Sequence, residues 1–362
     1  MNVLLIEPYY GGSHKTWADG YKRHSQHEVT LLTLPDQFWK WRMQGGAVTL
    51  ARLYQNGNYQ PDVILASDMF NLATFRALTQ DLTADIPIAL YFHETQLTYP
   101  QNTRQKHGWQ YAFVNYISAL SADRVFFNSP YHLNVFFENL PRMLKHFADY
   151  NELQTVDEIR QKSAVLPLGV DLKRYDAFRK QPNTDESPLI LWNHRWEDEK
   201  NPRAFFSALY ALADDGIDFR VALTGENVRQ EPHEFEEAKE RLREHIVQFG
   251  YVDDFSDYAR LLWESDYVVS TAHQEFFGGA VAEAVYCGCV PILPNRLNYP
   301  HLLPTEAHTA CLYRDKGQAL YHLLRKHLTG EIHVDVVPLQ QYVSQFDWSV
   351  VAPLYDKILT EL

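Results

Sequence analysis

The strongest constraint on the fold is an alternation of short apolar runs with longer segments of helical periodicity. The apolar runs have the length and residue types of buried strands. They occupy residues 3–7, 29–34, 63–66, 88–92, 124–128 and 164–167, and then 189–192, 219–223, 245–249, 267–270 and 290–293. Helix-patterned segments, such as residues 109–120 and 203–214, lie between most of them. Strands that alternate with helices predict parallel βαβ units and therefore an α/β fold.

A polar stretch divides this alternation into two series. Residues 173–188 include KQPNTDESP and have the composition of a linker. A chain of 362 residues is also long enough for two domains. We therefore predict two Rossmann-like, doubly wound domains at 1–172 and 189–345, with a central cleft that binds ligand at the carboxyl ends of the strands. Residues 346–362 are predicted to form a helix that packs back on the N-terminal domain.

Composition excludes several classes of protein. No run of eighteen apolar residues is present, so no transmembrane helix is expected, and residues 1–7 read as a strand rather than a signal peptide. Cys287, Cys289 and Cys311 make no disulfide framework and lack zinc spacing, which favours a reducing cytoplasm. The net charge of −13 argues against broad non-specific binding of nucleic acid.

Residues 275–283, EFFGGAVAE, place two carboxylates around a glycine pair. Gly278 and Gly279 precede a helix-patterned run at 280–286. Glycines in this position let backbone N–H groups approach a ligand, and a helix N-terminus favours anions. Glu275 then lies before the anion site and Glu283 a turn inside the helix, which suits a nucleoside diphosphate with a reactive group attached. Chance spacing and an ordinary loop explain the same residues equally well at this point.

Three other features follow predicted strands. Gly11 and Gly12 form a turn suited to phosphate or sugar, although it is not the dinucleotide fingerprint and a plain tight turn is the alternative. His93 follows a strand, where an imidazole hydrogen-bonds a substrate hydroxyl or carries a proton, unless its role is structural. Arg195 and Lys200 are placed to neutralise a leaving diphosphate; a salt-bridged surface loop is the alternative, since three acids lie between them.

The remaining signals are weaker. Glu226 and Tyr251 lie at neighbouring strand ends and are candidates for contacts to a base and a ribose. No metal site is predicted: His93 and Glu94 would begin a zinc-protease motif, but position 97 is Leu instead of His. The Asp pairs at 214–215 and 253–254 do not form a convincing Asp-x-Asp site at a strand end. Stabilisation of a leaving group by side chains and a helix dipole is therefore favoured.

Arg195 with Lys200, and Glu275 with Glu283, resemble the retaining GT-B glycosyltransferases of the glycogen-synthase and mannosyltransferase group. Longer motifs resemble one branch, the tRNA-queuosine α-mannosyltransferases. These motifs are EPYYGGSHK (7–15), LYFHETQLTYP (90–100), WNHRWEDEK (192–200), HQEFFG (273–278), AVYCGC (284–289) and QFDWS (345–349). The resemblance spans nearly the whole chain. It implies a GT-B fold, GDP-mannose as the donor and the cyclopentenediol of queuosine in a tRNA anticodon as the acceptor.

The resemblance also implies roles for the second-domain residues. Arg195 and Lys200 hold the diphosphate, Glu283 binds the ribose hydroxyls and Glu275 faces the transferred sugar. The loop before the helix contacts sugar or phosphate, mainly through backbone N–H groups; its residues are Phe276, Phe277, Gly278 and Gly279. Same-face attack on the sugar, with the departing phosphate oxygen taking the acceptor proton, requires no protein nucleophile.

Two features of the first domain take roles from the same resemblance. His93 contacts a sugar hydroxyl near the anomeric carbon. Gly11 and Gly12 close the donor site from the other domain. His93 and Glu275 are the predicted catalytic residues, and no metal is expected to take part.

The acidic charge is unusual for an enzyme that binds tRNA. The best candidate for a local basic patch is Arg142, Lys145 and His146, spaced i, i+3, i+4 on a possible helix face. Arg104, Lys106 and His107 are possible additions to it. A solvated amphipathic surface is the alternative.

Other functions remain open from the residues alone. A GT-B transferase with another nucleotide sugar, or with a small-molecule or lipid acceptor, fits the same motifs. A sugar-nucleotide epimerase requires a further carboxylate and histidine set that the sequence does not identify. A non-catalytic sugar- or RNA-binding module is disfavoured because both cations and both glutamates are intact.

Overall fold

The computed structural model describes residues 1–98, 109–179, 186–226, 233–314 and 316–362. The strands are β1 (Asn2–Tyr10), β2 (Glu28–Pro35), β3 (Val63–Ser67), β4 (Ile88–Phe92), β5 (Arg124–Phe127), β6 (Ser163–Val165), β7 (Leu189–Asn193), β8 (Arg220–Thr224), β9 (Ile246–Phe249), β10 (Tyr267–Val269), β11 (Val290–Pro294) and β12 (Leu312–Tyr313). The α-helices are α1 (Gly12–His24), α2 (Trp39–Asn56), α3 (Leu72–Leu78), α4 (Gln80–Thr83), α5 (Trp109–Ser121), α6 (Pro130–Leu144), α7 (Thr155–Gln161), α8 (Pro202–Asp214), α9 (His233–Arg241), α10 (Phe255–Glu264), α11 (Gly279–Tyr286), α12 (His308–Cys311), α13 (Ala319–Leu328), α14 (Val337–Val343) and α15 (Trp348–Thr360).

The chain forms two compact units. The first contains residues 1–170 and 348–362, and the second contains residues 171–347. Each is built on a parallel sheet whose strands alternate along the chain with helices, because each apolar run is followed by an amphipathic segment that covers the sheet. The segment predicted as a linker begins in the second unit with a 3-10 helix at Lys173–Phe178.

The sheet of the first unit has the strand order β2-β1-β3-β4-β5-β6. Strand β3 lies between β1 and β4, with Leu65 paired to Leu5 on one side and to Ala89 on the other. Residues at the carboxyl ends of β1, β3 and β4 therefore meet at one edge of the sheet. This edge carries Glu7, Asp68 and His93.

The last helix, α15, belongs to the first unit. Its first residue, Trp348, is fully buried, and the Trp348 backbone N–H donates to the carbonyl of Val170. Further along, the hydroxyl of Tyr355 accepts a hydrogen bond of 3.2 Å from the Trp17 indole of α1. These apolar and polar contacts fix α15 against α1.

The sheet of the second unit has the order β12-β11-β10-β7-β8-β9. Strand β7 is central and fully buried. Because β10 and β8 flank it, the loops that follow these three strands are neighbours in space although they are far apart in sequence. The two parallel sheets confirm the predicted α/β class, and β12 is a short edge strand that the apolar pattern did not predict. None of the helices in the described part of the chain combines the length and apolarity needed to cross a bilayer.

Candidate active site

In the second unit, the loop after β7 presents Lys200. The chain turns there through a 3-10 helix, Asp198–Lys200, and then through Asn201 in the left-handed conformation at the start of α8. The loop after β10 holds this turn: the Thr271 hydroxyl donates to the Lys200 carbonyl at 2.8 Å, and the His273 N–H donates to the Glu199 carbonyl at 2.7 Å. Lys200 is thereby buried at a fixed position.

Lys200 and Glu275 form an ion pair in this site. The Lys200 Nζ lies 3.4 Å from the Glu275 Oε2 and donates to the Gln274 carbonyl at 3.1 Å. Burial alone would raise the pKa of Glu275, but the Lys200 ammonium outweighs it and the pKa lies below its ordinary value. The neighbouring His194 is neutral, because burial and Lys200 lower its pKa to about 4.

The N-terminus of α11 lies directly after Glu275. Gly278 is its cap residue, with φ at 99°, and a Cβ at this position would lie 2.7 Å from Leu302 Cδ1. Only glycine fits both the left-handed backbone and the space. The side chains of Phe276 and Phe277 are buried, and the Phe277 carbonyl accepts from Asn298 at 2.8 Å. The loop therefore offers backbone groups, and the first-turn N–H groups of α11 have no partner within the helix.

Glu283 occupies a different environment, one turn inside α11. Its Oε1 lies 3.5 Å from Nη2 of Arg174, and the hydroxyls of Tyr175 and Tyr258 hydrogen-bond it. Burial raises the pKa of Glu283, and Arg174 and the two tyrosines oppose that shift. Arg174 stacks in turn on Phe255, with the guanidinium carbon 4.2 Å from the ring centroid.

Three predicted ligand residues are exposed in this unit. Arg195 lies within ion-pair distance of Glu197 and Glu199, and the same Glu199 Oε1 is 3.6 Å from the Nζ of the buried Lys200. Glu226 presents its backbone carbonyl to the Trp196 N–H at 3.1 Å while its side chain faces solvent. Tyr251 follows Gly250 and is also exposed. All three side chains are accessible to a ligand, and Glu199 links Arg195 to the Lys200–Glu275 pair.

In the first unit, His93 follows β4 and is buried. Its backbone is held on both sides, by Asp68 Oδ1, which accepts the His93 N–H at 2.9 Å, and by Asn128, which donates to the His93 carbonyl at 2.8 Å. Burial and the neighbouring His14 lower the pKa of His93 well below its ordinary value. The neutral ring has an Nε2 atom with no hydrogen-bond partner among the residues that the structure describes.

Glu7 and His14 complete this cluster. His14 Nδ1 lies 3.1 Å from Glu7 Oε2, and the His14 and His93 ring centroids are 4.2 Å apart. Burial would lower the pKa of His14, but Glu7, Asp68 and Glu94 raise it to about 9. Burial raises the pKa of Asp68 to about 8, although His14 opposes it. We call Glu7, His14, Asp68 and His93 the histidine cluster.

The glycine turn lies beside the histidine cluster. Gly11 is the extended cap residue of α1, and Gly12 is its first residue, with φ at 49°. The predicted turn therefore exists at the end of β1, and it is the element that carries His14 into the cluster. Whether a sugar or phosphate binds there stays a prediction.

The candidate basic patch only partly shares a helix. Helix α6 ends at Leu144, so Arg142 lies in its last turn while Lys145 and His146 follow its end. All three side chains are exposed. The single helix face predicted from their spacing is therefore incomplete, and Arg104, Lys106 and His107 lie outside the described residues.

Four residues of these sites have no role in the sequence analysis. Glu7 and His14 lie in a motif without an assigned role, Asp68 lies in no motif, and Arg174 lies in the predicted linker. Asp68 offers a usable signal, because it is an acid at the end of a strand that begins with the apolar run 63–66. The sequence contains no such signal for Arg174, since its partner Glu283 is more than one hundred positions away.

Family models match both units. The model for the tRNA-queuosine alpha-mannosyltransferase N-terminal region matches residues 2–170, and the model for glycosyl transferases group 1 matches residues 174–336. Together they cover most of the chain and identify it as a glycosyltransferase.

Curated relatives agree with these models. A tRNA-queuosine alpha-mannosyltransferase of Drosophila melanogaster is 36% identical over 314 residues, covering 84% of this chain and 82% of the relative. A GDP-mannose-dependent alpha-(1-6)-phosphatidylinositol dimannoside mannosyltransferase of Mycobacterium tuberculosis is 27% identical over 169 residues, covering 45% of this chain and 43% of the relative.

Solved structures show the same fold. The Anabaena protein Alr3699/HepE, in complex with UDP, aligns over all of both chains with a TM-score of 0.73 and 16% identity. The sucrose-phosphate synthase of Thermosynechococcus elongatus aligns over 100% of this chain and 98% of that one, with a TM-score of 0.69 and 13% identity. The fold is GT-B, as predicted, and the chain belongs to the tRNA-queuosine alpha-mannosyltransferase family.

Proposed function

We propose that this glycosyltransferase moves mannose from GDP-mannose to the cyclopentenediol of queuosine in tRNA, with retention of configuration. The observation that carries the proposal is the ion pair of the buried Lys200 with the partly buried Glu275 beside the N-terminus of α11, in a chain of this family. A buried ammonium and unpaired helix N–H groups are suited to a leaving diphosphate, because both stabilise negative charge where water is excluded.

The names of two relatives support GDP-mannose as the donor. Two mannosyltransferases, from Mycobacterium tuberculosis and Xanthomonas oryzae, carry GDP-mannose in their names and match about half of this chain. Their similarity supports a guanosine donor without testing it. A thermal-shift comparison of GDP, UDP and ADP tests the base: GDP should stabilise the protein most.

Each second-unit residue then has a defined task. Lys200 and Arg195 bind the diphosphate, and Glu283 accepts hydrogen bonds from the ribose hydroxyls. Glu275, held ionised by Lys200, accepts hydrogen bonds from the sugar. The C–O bond between mannose and phosphate breaks as the acceptor hydroxyl attacks from the same face, and the departing phosphate oxygen takes the acceptor proton. No protein group has to form a covalent bond.

His93 has a fitting task in the first unit. Its neutral ring is suited to a hydrogen bond with a sugar hydroxyl, since Nε2 has no hydrogen-bond partner among the described residues and lies 3.9 Å from Glu7 Oε2. The backbone contacts from Asp68 and Asn128 keep the ring in place while substrates exchange.

The proposed reaction is independent of metal. Within the described residues, Glu7, His14 and His93 place possible ligand atoms within 4.8 Å of one another. However, a protonated His14 beside Glu7 cannot bind a cation through Nδ1, and it already neutralises the carboxylate. A charged imidazolium therefore disfavours a metal here. The three cysteines are unpaired and buried, which supports the proposed cytoplasmic location.

Nucleoside mass spectrometry tests the whole proposal. The purified protein is incubated with GDP-mannose and queuosine-containing tRNA, and the tRNA is digested to nucleosides. We expect a hexose added to queuosine, and no product from the same tRNA lacking queuosine. Absence of the hexose, with GDP binding intact, would contradict the acceptor while leaving the donor site in place.

A further inference from the structure

A basic and aromatic segment stands out in this acidic chain. Residues 37–61 contain no Asp or Glu, although the chain has 46 of them, and they include Lys40, Arg42 and Arg52. The segment begins QFWKWR, in which aromatic and cationic side chains alternate. The QFWKWR run leads into α2 and forms its first turn. None of the roles assigned above uses these residues.

Two of its aromatic rings face solvent. Phe38 is 77% exposed and Trp41 is 60% exposed. By contrast, Trp39 packs inward on Tyr111, with ring centroids 5.1 Å apart. An exposed tryptophan and phenylalanine in one helical turn are unusual on a monomer surface unless they meet a partner.

The backbone at Phe38 and the ring of Trp41 have defined positions. Phe38 is the cap residue of α2 in the left-handed conformation, with φ at 53°, and its carbonyl accepts the N–H groups of Trp41 and Arg42. The Trp41 ring lies flat against Gly45, one turn along α2: a Cβ on Gly45 would be 2.4 Å from the ring. A preorganised flat ring loses little entropy on stacking.

The cations beside these rings are available to phosphate. Lys40 is exposed, and no carboxylate in the described part of the chain lies within ion-pair distance of it. Arg42 is oriented by its Nε, which donates to the Pro35 carbonyl at 3.1 Å. Aromatic faces combined with such cations are the features that bind unpaired nucleotides.

The segment adjoins the histidine cluster within the same unit. Strands β1 and β2 pair up to Tyr10 and Pro35, so α2 starts at the sheet edge that carries Gly11. Asp36 packs so close to Gly11 that a Cβ there would overlap its carboxylate. Tyr9 packs on the same small cluster as Trp39, and its ring lies 6.0 Å from that of His14.

We propose that Phe38 and Trp41 form a stacking platform for unpaired bases of an RNA loop, with Lys40 and Arg42 contacting the adjoining phosphates. This inference rests on the proposed function, in that the acceptor is a nucleotide within RNA. It also accounts for how a chain of net charge −13 binds a polyanion: a local platform supplies stacking, which does not depend on overall charge.

Binding measurements with a synthetic anticodon stem-loop RNA test the platform. Phe38→Ala and Trp41→Ala should each raise the Kd for this RNA roughly 5- to 100-fold, as loss of one stacked base does. Phe113→Ala is the matched control, because Phe113 is an exposed aromatic residue of the same unit whose one ring pair within the described residues is with its own helix neighbour Tyr116. GDP affinity should be unchanged in all three variants.

Two further variants separate stacking from folding. Gly45→Ala improves intrinsic helix propensity but displaces the Trp41 ring, so it should weaken RNA binding in a protein with undiminished thermal stability. Lys40→Ala should lower the slope of log Kd against log salt by about one unit. Lys22→Ala, an equal charge change at the opposite end of α1, should leave the slope unchanged.

The outcomes distinguish the two proposals. Normal RNA affinity in Phe38→Ala and Trp41→Ala, with normal KM for tRNA, would overturn the platform and leave the proposed reaction intact. Weakened RNA binding in these variants, in a protein that adds no hexose to queuosine, would support the platform and contradict the reaction. Equal loss in the Phe113→Ala control would also overturn the platform, because the effect would then belong to any exposed aromatic residue.

Discussion

The two units carry charged clusters of opposite character. In the second unit, Glu275 and Glu283 are paired with Lys200 and Arg174. In the first unit, Glu7 faces the imidazole of His14, whose pKa is raised to about 9, and burial raises the pKa of Asp68 to about 8. One unit thus pairs its carboxylates with lysine and arginine, and the other contains groups whose pKa values lie close to neutral pH.

This difference assigns distinct properties to the two halves. Ion pairs of carboxylates with lysine or arginine change charge less around neutral pH than histidine does. A site built on histidine changes its hydrogen-bonding capacity with pH. We therefore expect donor affinity to reside in the second unit and pH dependence in the first.

Lys200→Met should produce the largest effect. The substitution leaves the partly buried Glu275 carboxylate without its cation, which raises the pKa of Glu275 and costs at most about 3–5 kcal/mol of stability. Loss of a charged hydrogen bond to diphosphate should also weaken GDP binding by roughly 10- to 100-fold. Calorimetry with GDP and a denaturant titration measure the two effects.

The double variant Lys200→Met/Glu275→Gln is its control. Replacing both charges should recover most of the stability, because no unpaired charge is left buried, while GDP affinity stays low. Recovery of GDP affinity in the double variant would show that Lys200 acts on Glu275 alone and not on the diphosphate.

Arg174→Met should have a smaller effect on the same unit. Without the guanidinium, the pKa of Glu283 should rise further, so GDP affinity should fall about 3- to 10-fold and decline as pH is lowered from 8 to 6. The partial exposure of Arg174 keeps the expected effect modest. Arg179→Met is a matched control, since Arg179 lies over Trp263 in the same segment. Equal losses in both variants would refute a specific role for Arg174.

His14→Gln should change how the Tm of the protein depends on pH. The folded-state pKa of His14 is raised to about 9, so the folded protein binds more protons than the unfolded chain between about pH 6.5 and 9. Its stabilising contribution is therefore full below about pH 6.5 and is lost as pH rises through about 9. The Tm of the natural protein should fall over this window more steeply than that of His14→Gln. A parallel decline in both proteins would exclude His14 as the cause.

Chelation should have the smallest effect. If His14 is the cation that neutralises Glu7, EDTA should leave turnover and Tm unchanged. If EDTA abolished activity and Zn²⁺ or Mn²⁺ restored it, the histidine cluster would be a metal site. The contrast drawn between the two units would then be wrong.

Much of the fold was predictable because each local signal was consistent with the next. Among the residues that the structure describes, the apolar runs identified every strand except the two-residue strand β12, since so short a run has no periodicity. The glycine pair correctly marked the start of α11. The α6 prediction extended too far, because charge spacing alone does not show that the helix ends at Leu144.

The candidate sites were predictable only in part. Lys200, Glu275, Glu283 and His93 are each predicted as site residues from their places after strands or in the glycine-rich motif, and their roles stay predictions. The partners that set their protonation were not predicted, because Asp68 and Arg174 are neighbours only in space. The exposed rings of Phe38 and Trp41 were equally hidden, since an aromatic residue in a helix is buried more often than not.

The amino-acid sequence was sufficient to predict the βαβ alternation, the family and the residue types at the ends of the strands. Tertiary structure alone decided which of them meet: β7 lies beside β10, and so Lys200 reaches Glu275 across 75 positions of chain. It also decided their charge, because burial penalises an ionised group unless a partner lies within a few ångströms. The sequence sets the identity of each residue. The order of the strands in the sheet and the burial of each side chain determine which groups it contacts and whether it is protonated.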